Sequence, residues 1–282
     1  TIRQYEYPYA AHVLGNIGQV NRKDIEADDY YVQGDDSGRA GVERSYEKQL
    51  RGEKGVEILL RDVHGRIKGK YDDGASDVAP VSGKNLKLSL DINLQAYGEK
   101  LMKNKVGSIV MIEPETGEVL CLVTSPNYDP SLLVGRQRGK NHRMLEENPQ
   151  TPLIDRSITG FYPPGSTFKP TQGLIFLQEG VITPSTMYTC AHGYTYSIKR
   201  KPACHGHASP LSLVPALATS CNSFFCWGLH DMLDNRRRYP TVQEGFEVWK
   251  NHLVSMGYGY PLGIDLPGEK RGYIPNSKVY DK

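Results

Sequence analysis

Gly160-Phe-Tyr-Pro-Pro-Gly-Ser-Thr-Phe-Lys-Pro-Thr-Gln-Gly-Leu-Ile-Phe-Leu-Gln-Glu-Gly180 is the stretch on which the reading of this sequence turns. Pro163, Pro164 and Gly165 cannot extend a helix, whereas residues 168–179 suit one and Gly180 supplies its C-terminal stop. Ser166 is therefore expected at or beside a helix N-terminus. Lys169 follows three residues later, so both side chains share one face, one turn apart. A serine hydroxyl is a poor nucleophile until a neighbouring base takes its proton. Lysine can be that base when burial and nearby dipoles depress its pKa, and the positive end of a helix contributes to this. The same helix end offers a backbone N–H to a developing oxyanion. A serine here also serves as a plain helix cap, and Ser-x-x-Lys alone does not separate the two roles.

Further along, residues 211–218 form an apolar helical run with Pro215 expected to interrupt it. Ser220-Cys-Asn222 comes next, followed by Phe224-Phe-Cys-Trp-Gly-Leu229. Ser220 and Asn222 are expected in a tight connection between two helices, facing one cleft. There a second hydroxyl can relay a proton and an amide can hold a substrate amide. In isolation, the pair reads equally as turn residues stabilising a loop.

Between these motifs lie Cys190-Ala-His-Gly-Tyr194 and Ala203-Cys-His-Gly-His207. Cys190, Cys204 and His207 (or His205), with Cys221 as a further candidate, are zinc-ligand types. A Cys190–Cys204 disulfide and free thiols are the other two readings. The total of five cysteines is odd and does not describe a disulfide framework.

The N-terminal part reads differently. Residues 1 to about 85 are charged, Gly-rich and poor in long apolar runs. Val42, Tyr46 and Leu50 fall at helical spacing before Gly52, predicting one short amphipathic helix. Residues 56–63 and 66–70 flank His64-Gly65 as a hairpin, and the turn-rich 71–80 is the candidate boundary. Nothing in this region converges on chemistry, which suits a support module. A second unit then opens near Asn85. Leu86, Leu88 and Leu90 alternate as a strand would, and Asp91 can cap a helix with Leu94, Tyr97 and Leu101 on one side. Residues 108–112 and 118–123 form a hairpin around Glu113-Pro-Glu-Thr-Gly117, with Cys121 as a packed, inert thiol.

Composition sets outer limits. Length alone suggests about two domains for 282 residues. Lys plus Arg number 34 against 32 Asp plus Glu, a net charge of +2, which argues against nucleic acid as a partner. No apolar run approaches the roughly 18 residues of a membrane span, and no signal peptide opens the chain. The first residues read as the middle of a longer sequence.

Taken together, these motifs resemble the class B penicillin-binding proteins, and most of all the elongation-type peptidoglycan D,D-transpeptidases. Ser-x-x-Lys and Ser-x-Asn are two of the signature motifs of serine penicillin-recognising enzymes. The resemblance covers residues 39–55, 108–130, 156–169, 220–225 and 258–269, and Tyr162-Pro-Pro-Gly-Ser-Thr-Phe-Lys169 is its most specific part. It implies an α+β fold, with a β-rich pedestal over residues 1–85. Residues 86–282 would be part of a penicillin-binding transpeptidase domain of the serine β-lactamase type, a mixed antiparallel sheet with packed helices.

The resemblance implies that Ser166 attacks the D-Ala–D-Ala peptide of a donor stem, with Lys169 as base, Ser220 as proton shuttle and Asn222 binding the substrate amide. A second stem's amine would resolve the acyl-enzyme, and β-lactams would acylate Ser166. The implied partners are peptidoglycan stem peptides, β-lactam antibiotics, a glycan polymerase and other wall-synthesis proteins. The implied place is the extracytoplasmic face of the bacterial inner membrane, with the anchor outside this stretch. No cofactor is required, although some relatives carry a metal near Cys190, Cys204 and His207, so a structural zinc is admitted. The third family motif, Lys-Thr/Ser-Gly, does not occur, and Ser82-Gly-Lys84 is reversed and misplaced. In the family it follows the region of Leu266-Pro-Gly-Glu269, so the chain is expected to be an incomplete transpeptidase that self-associates. The competing readings are a β-lactam hydrolase or sensor, and a non-catalytic cell-wall scaffold.

Overall fold

The computed structural model describes residues 3–196 and 202–279. Two units separate by compactness, Thr1–Gly160 with Gly263–Glu269, and Phe161–Leu262 with Lys270–Lys282.

The first unit begins with α1 (Ala11–Leu14), β1 (Asn16–Gln19), α2 (Arg22–Ala27) and β2 (Asp36–Ala40), with β1 and β2 antiparallel. Asn21 and Asp24 close a reciprocal capping box at the start of α2. The single helix expected over Val42, Tyr46 and Leu50 is instead two, α3 (Gly41–Ser45) and α4 (Glu47–Leu50), broken at Tyr46. Glu47, the first residue of α4, accepts from Tyr31 Oη at 2.9 Å and from Gly38 N–H at 2.7 Å. Those bonds tie the start of α4 to Tyr31 and Gly38, and Tyr46 leaves the helical backbone at φ −111°, ψ 21°. The hairpin forms as expected, with β3 (Leu59–Arg61) and β4 (Ile67–Lys70) joined through Gly65 at φ 77°.

Two expectations for the next segment need correction. Leu86, Leu88 and Leu90 do pack together, against Ala10, Val13, Val42 and Leu122, but they form no strand. Their segment touches its neighbour through isolated bonds, Ser89 Oγ to Val119 O and Asp91 N–H to Leu120 O, instead of a continuous ladder. Asp91 caps α5 (Ile92–Met102) through Asn93 N–H and Leu94 N–H, as its sequence suggests. The buried face of α5, however, is Gln95 and Gly98, and Tyr97 and Leu101 are exposed. Gln95 donates to Leu122 O and accepts from Leu122 N–H, both at 2.9 Å, so its amide occupies the place of a neighbouring strand. Gly98 admits the close approach: a Cβ there would lie 2.9 Å from Val123 Cγ2 and 3.2 Å from Cys121 Sγ. β5 (Gly107–Ile112) and β6 (Val119–Ser125) make the expected antiparallel hairpin, and Cys121 is buried within it. Two further helices, α6 (Arg138–Glu146) and α7 (Arg156–Thr159), complete this unit.

The second unit is built on helices. A 3-10 turn, Gly165–Phe168, leads into α8 (Lys169–Gln178), which ends at Gly180 in the left-handed region. Pro170 sits in the first turn of α8, where no intrahelical N–H is needed. The same reasoning corrects the expectation for Pro215. It occupies the first turn of α9 (Leu213–Ala218) and does not interrupt it. α10 (Asn222–Leu233) and α11 (Val242–Ser255) follow. Ile175, Phe176, Phe224, Phe225, Met232 and Leu253 form the core between them. Phe176 lies against Gly228 of α10, where a Cβ would meet its ring at 2.6 Å. Behind α8, the buried Glu179 carboxylate accepts from His252 Nε2 at 2.6 Å and from Tyr239 Oη, and pairs with Arg238 at 2.8 Å. That hub ties the end of α8 to α11. No helix among the described residues is long and apolar enough to cross a membrane. The elements form an α+β fold.

Candidate active site

Ser166, Lys169, Ser220 and Asn222 converge at one place in the second unit. Ser166 stands exposed on the 3-10 turn, and Lys169, the first residue of α8, is buried. Ser220 and Asn222 enter from the tight α9–α10 connection. Lys169 Nζ donates to Ser220 O at 2.6 Å, to Asn222 Oδ1 at 2.7 Å and to Ser220 Oγ at 2.9 Å. Ser220 Oγ in turn donates to Ser166 Oγ at 2.9 Å. The serine and lysine of Ser-x-x-Lys are thus linked through the serine of the other motif.

Three acceptors satisfy all three protons of an ammonium group. When Lys169 loses one proton, Ser220 O and Asn222 Oδ1 can keep its two N–H groups. The lone pair then faces Ser220 Oγ, and the chain reverses into a path from Ser166 through Ser220 to the amine. Burial lowers the Lys169 pKa from the ordinary lysine value, opposed by the nearby cysteine sulfurs Cys204, Cys221 and Cys226 when ionised. The Phe225 ring lies 5.8 Å from Nζ and forms part of that apolar wall. Ser220 holds its hydroxyl between the two groups at φ 52°, a left-handed conformation that serine adopts at a cost. Strain of this kind is common where a functional group must be aimed.

Beside this site, Cys190, Cys204, His207 and Cys221 place one donor atom each within 4.8 Å of one another. The Cys204 and Cys221 sulfurs are 3.9 Å apart, and all five cysteines are free thiols, so Cys190 and Cys204 are not bonded to each other. His205 lies outside the cluster. The N-terminus of α10 holds two of these sulfurs, with Phe224 N–H donating to Cys221 Sγ and Ser223 N–H to Cys204 Sγ, both at 3.4 Å. Burial opposes ionisation of Cys204. The Ser223 N–H, with His207 and Cys190 alongside, nevertheless brings its thiol down to about 7. Burial, and the charge of Cys204 beside it, push Cys221 up to about 12. His207 Nδ1 contacts Ala208 O at 2.7 Å, which leaves a buried Nε2 with no hydrogen-bond partner. Three thiols and one unpartnered imidazole nitrogen fit a tetrahedral zinc set.

Sequence reasoning missed two supports. The backbone reaches the site at Ala203, which bridges antiparallel to Gly193 and whose carbonyl accepts from Asn222 Nδ2 at 2.7 Å and fixes which amide atom faces Lys169. Tyr188, which bridges antiparallel to Leu211, donates its Oη to Asp231 of α10 at 2.6 Å. A backbone carbonyl leaves no mark in a sequence, so only the fold could reveal the first.

Two family profiles match the chain, the penicillin-binding protein dimerisation domain over residues 1–88 and the penicillin-binding protein transpeptidase domain over residues 107–282. A curated relative, peptidoglycan D,D-transpeptidase MrdA of Acinetobacter baumannii, is 33% identical over 281 residues, covering 96% of this chain and 39% of its own length. The chain thus spans about two-fifths of that relative. Among solved structures, the penicillin-binding protein PBP2 of Helicobacter pylori in complex with MreC aligns with a TM-score of 0.78 at 28% identity, over 96% of this chain and 48% of that one. A structure titled for the coordination of polymerization and crosslinking by a peptidoglycan synthase complex aligns with a TM-score of 0.79 at 26% identity, over 99% of this chain and 49% of that one.

Proposed function

This chain belongs to the penicillin-binding protein transpeptidase family, and we propose that in its full-length protein it supplies the acylating groups of a peptidoglycan D,D-transpeptidase. The observation that carries this reading is the hydrogen-bonded chain Ser166–Ser220–Lys169, braced by Asn222. Ser166 Oγ attacks the carbonyl carbon between the two D-Ala residues of a donor stem. Its proton passes to Ser220 Oγ while the Ser220 proton passes to neutral Lys169. Collapse of the tetrahedral adduct breaks the peptide bond, and the departing D-Ala amine takes a proton back along the same path. The amine of a second stem then attacks the acyl-enzyme, forming the cross-link and freeing Ser166. Asn222 holds the substrate amide as well as Lys169. A β-lactam enters the first step and stays bound to Ser166.

Residues 1–85 are assigned to the pedestal and 86–282 to part of the transpeptidase domain, in keeping with the two profile matches. Partners for the full-length protein are a glycan polymerase and other wall-synthesis proteins at the extracytoplasmic face of the inner membrane. The relatives solved with MreC and within a peptidoglycan synthase complex support that assignment. Cys190, Cys204, His207 and Cys221 are assigned as the residues that would hold a structural zinc, which would tie the segments carrying Cys190 and Cys204 to Cys221 at the start of α10.

The intact mass of the full-length protein before and after benzylpenicillin tests the central reading. One stoichiometric adduct is expected, absent in Ser166→Ala. An adduct that persists in that variant overturns the assignment of the nucleophile, and rapid drug turnover without an adduct replaces transpeptidase by hydrolase. Metal analysis of the purified chain, with Cys204→Ser as control, tests the zinc.

A further inference from the structure

Cys221 is at once a member of the thiol cluster and the central residue of Ser220-Cys-Asn222, between the hydroxyl and the amide that hold Lys169. Its sulfur lies 3.9 Å from that of Cys204, and the two segments are already stitched together by the bond from Asn222 Nδ2 to Ala203 O, one residue away on each side. Cys204 is half-buried, so a small oxidant can reach it, whereas Cys221 is enclosed. We propose that Cys204 and Cys221 form a redox pair, whose oxidation to a disulfide switches off the Ser220–Asn222 turn and displaces any metal from the cluster. The metal part rests on the zinc assignment above, but the pair itself does not.

The chemistry balances with a small-molecule disulfide as oxidant. The Cys204 sulfur attacks one sulfur of the oxidant and releases one thiol. Cys221 then attacks the mixed disulfide at Cys204 and releases the second. Two protein thiols lose two electrons, the oxidant gains them, and the two protons leave with the two small thiols. Closing 3.9 Å to the roughly 2.05 Å of a sulfur–sulfur bond moves the sulfurs by nearly 2 Å. Whatever part of that motion the backbone of Cys221 takes up shifts Ser220 and Asn222 with it. Misplacement of a catalytic group by about 1 Å can cost on the order of 100-fold in rate. The same bond removes two of four candidate ligands, leaving Cys190 and His207, so disulfide and metal exclude each other.

The purified chain, stripped of metal, is treated with oxidised glutathione and its peptides are mapped by mass spectrometry. A Cys204–Cys221 cross-link is expected, with Cys121 and Cys226 still free, and it should disappear in Cys221→Ser. Preloading with zinc chloride should slow it at least about tenfold, with zinc released into a colorimetric chelator as the bond forms. A dominant Cys190–Cys204 link, or mixed disulfides alone, overturns the pair. Cross-linking at an equal rate in a chain that does bind zinc overturns the exclusion. A chain that binds no zinc yet forms the Cys204–Cys221 bond upholds the pair and removes the zinc assignment alone. In the full-length protein, the oxidised form should take up fluorescent penicillin at least about tenfold more slowly, reversibly with reductant. An oxidised form that acylates at the reduced rate overturns the coupling to the turn.

Discussion

Ser220 carries two burdens that can be separated by substitution. Its hydroxyl bridges Ser166 and Lys169, and its backbone sits at φ 52°. Glycine removes the hydroxyl and relieves the backbone, whereas alanine removes the hydroxyl and keeps the strain. Both Ser220→Ala and Ser220→Gly are expected to lower penicillin acylation of the full-length protein on the order of 100-fold or more. The glycine variant should be the more stable of the two by about 1–2 kcal/mol, read by denaturant unfolding. Lys169 supplies the pH dependence. In the proposed mechanism the working form is the neutral amine, so acylation should rise with pH on the acid side, about tenfold per unit until half the lysine is deprotonated. Because burial lowers the Lys169 pKa, that midpoint falls below the ordinary lysine value. Asn222→Asp places a carboxylate on Nζ, favours the ammonium and should move the rising limb to higher pH. An unmoved limb would show that another group titrates. At this scale the sequence placed Ser166 and Lys169 at the entry to a helix, because the proline-rich entry and the helix after it are local signals. It offered Ser220 as a proton relay in a tight connection but not the left-handed backbone that aims it, since a left-handed serine has no compositional mark. It also left Cys221 only a candidate, because 31 residues of chain separate it from Cys190 and only the fold closes that distance.

Helices and strands were legible where one local rule sufficed, and misread where packing overruled it. The Asp91 cap and the β5–β6 hairpin follow from capping and turn chemistry alone. The buried side of α5 does not: counting apolar residues selects Leu94, Tyr97 and Leu101, whereas the helix turns Gln95 and Gly98 inward. A buried glutamine pays its desolvation only because both ends of its amide meet Leu122. Gln95→Leu keeps the volume but orphans the Leu122 N–H and C=O, and should cost about 2–4 kcal/mol. It should also speed hydrogen exchange at Leu122. A loss below about 1 kcal/mol would mean that water replaces the amide. In the second unit, Gly228→Ala drives a Cβ into the Phe176 ring, where the core is fully buried, and overpacking of this kind costs about 1–3 kcal/mol. Its thermal midpoint should fall accordingly, while Gly139→Ala, with open space at its Cβ and a helical position in α6, should not lower it.

At the scale of the molecule, the sequence divides by composition near residue 85, but compaction follows contacts that composition cannot register. Residues 263–269 return to the first unit, where Tyr46 Oη donates to Asp265 at 2.7 Å across more than two hundred residues of sequence. The same unit leaves one strand poorly protected. β5 pairs only with β6 among the described residues, and Val110, Met111 and Ile112 are exposed although they point to both faces of the sheet. An edge strand that is apolar on both faces, with a free row of N–H and C=O groups, is a template for another strand. The 282-residue chain is therefore expected to self-associate through β5. Sedimentation velocity over a concentration series should show the average mass rising with concentration. Val110→Lys places a charge on the exposed edge without touching the core of the second unit, and should restore the monomer while leaving the thiol cluster intact. A wild-type chain that stays monomeric throughout, or a Val110→Lys chain that associates as strongly as wild type, would place the contact elsewhere or remove it.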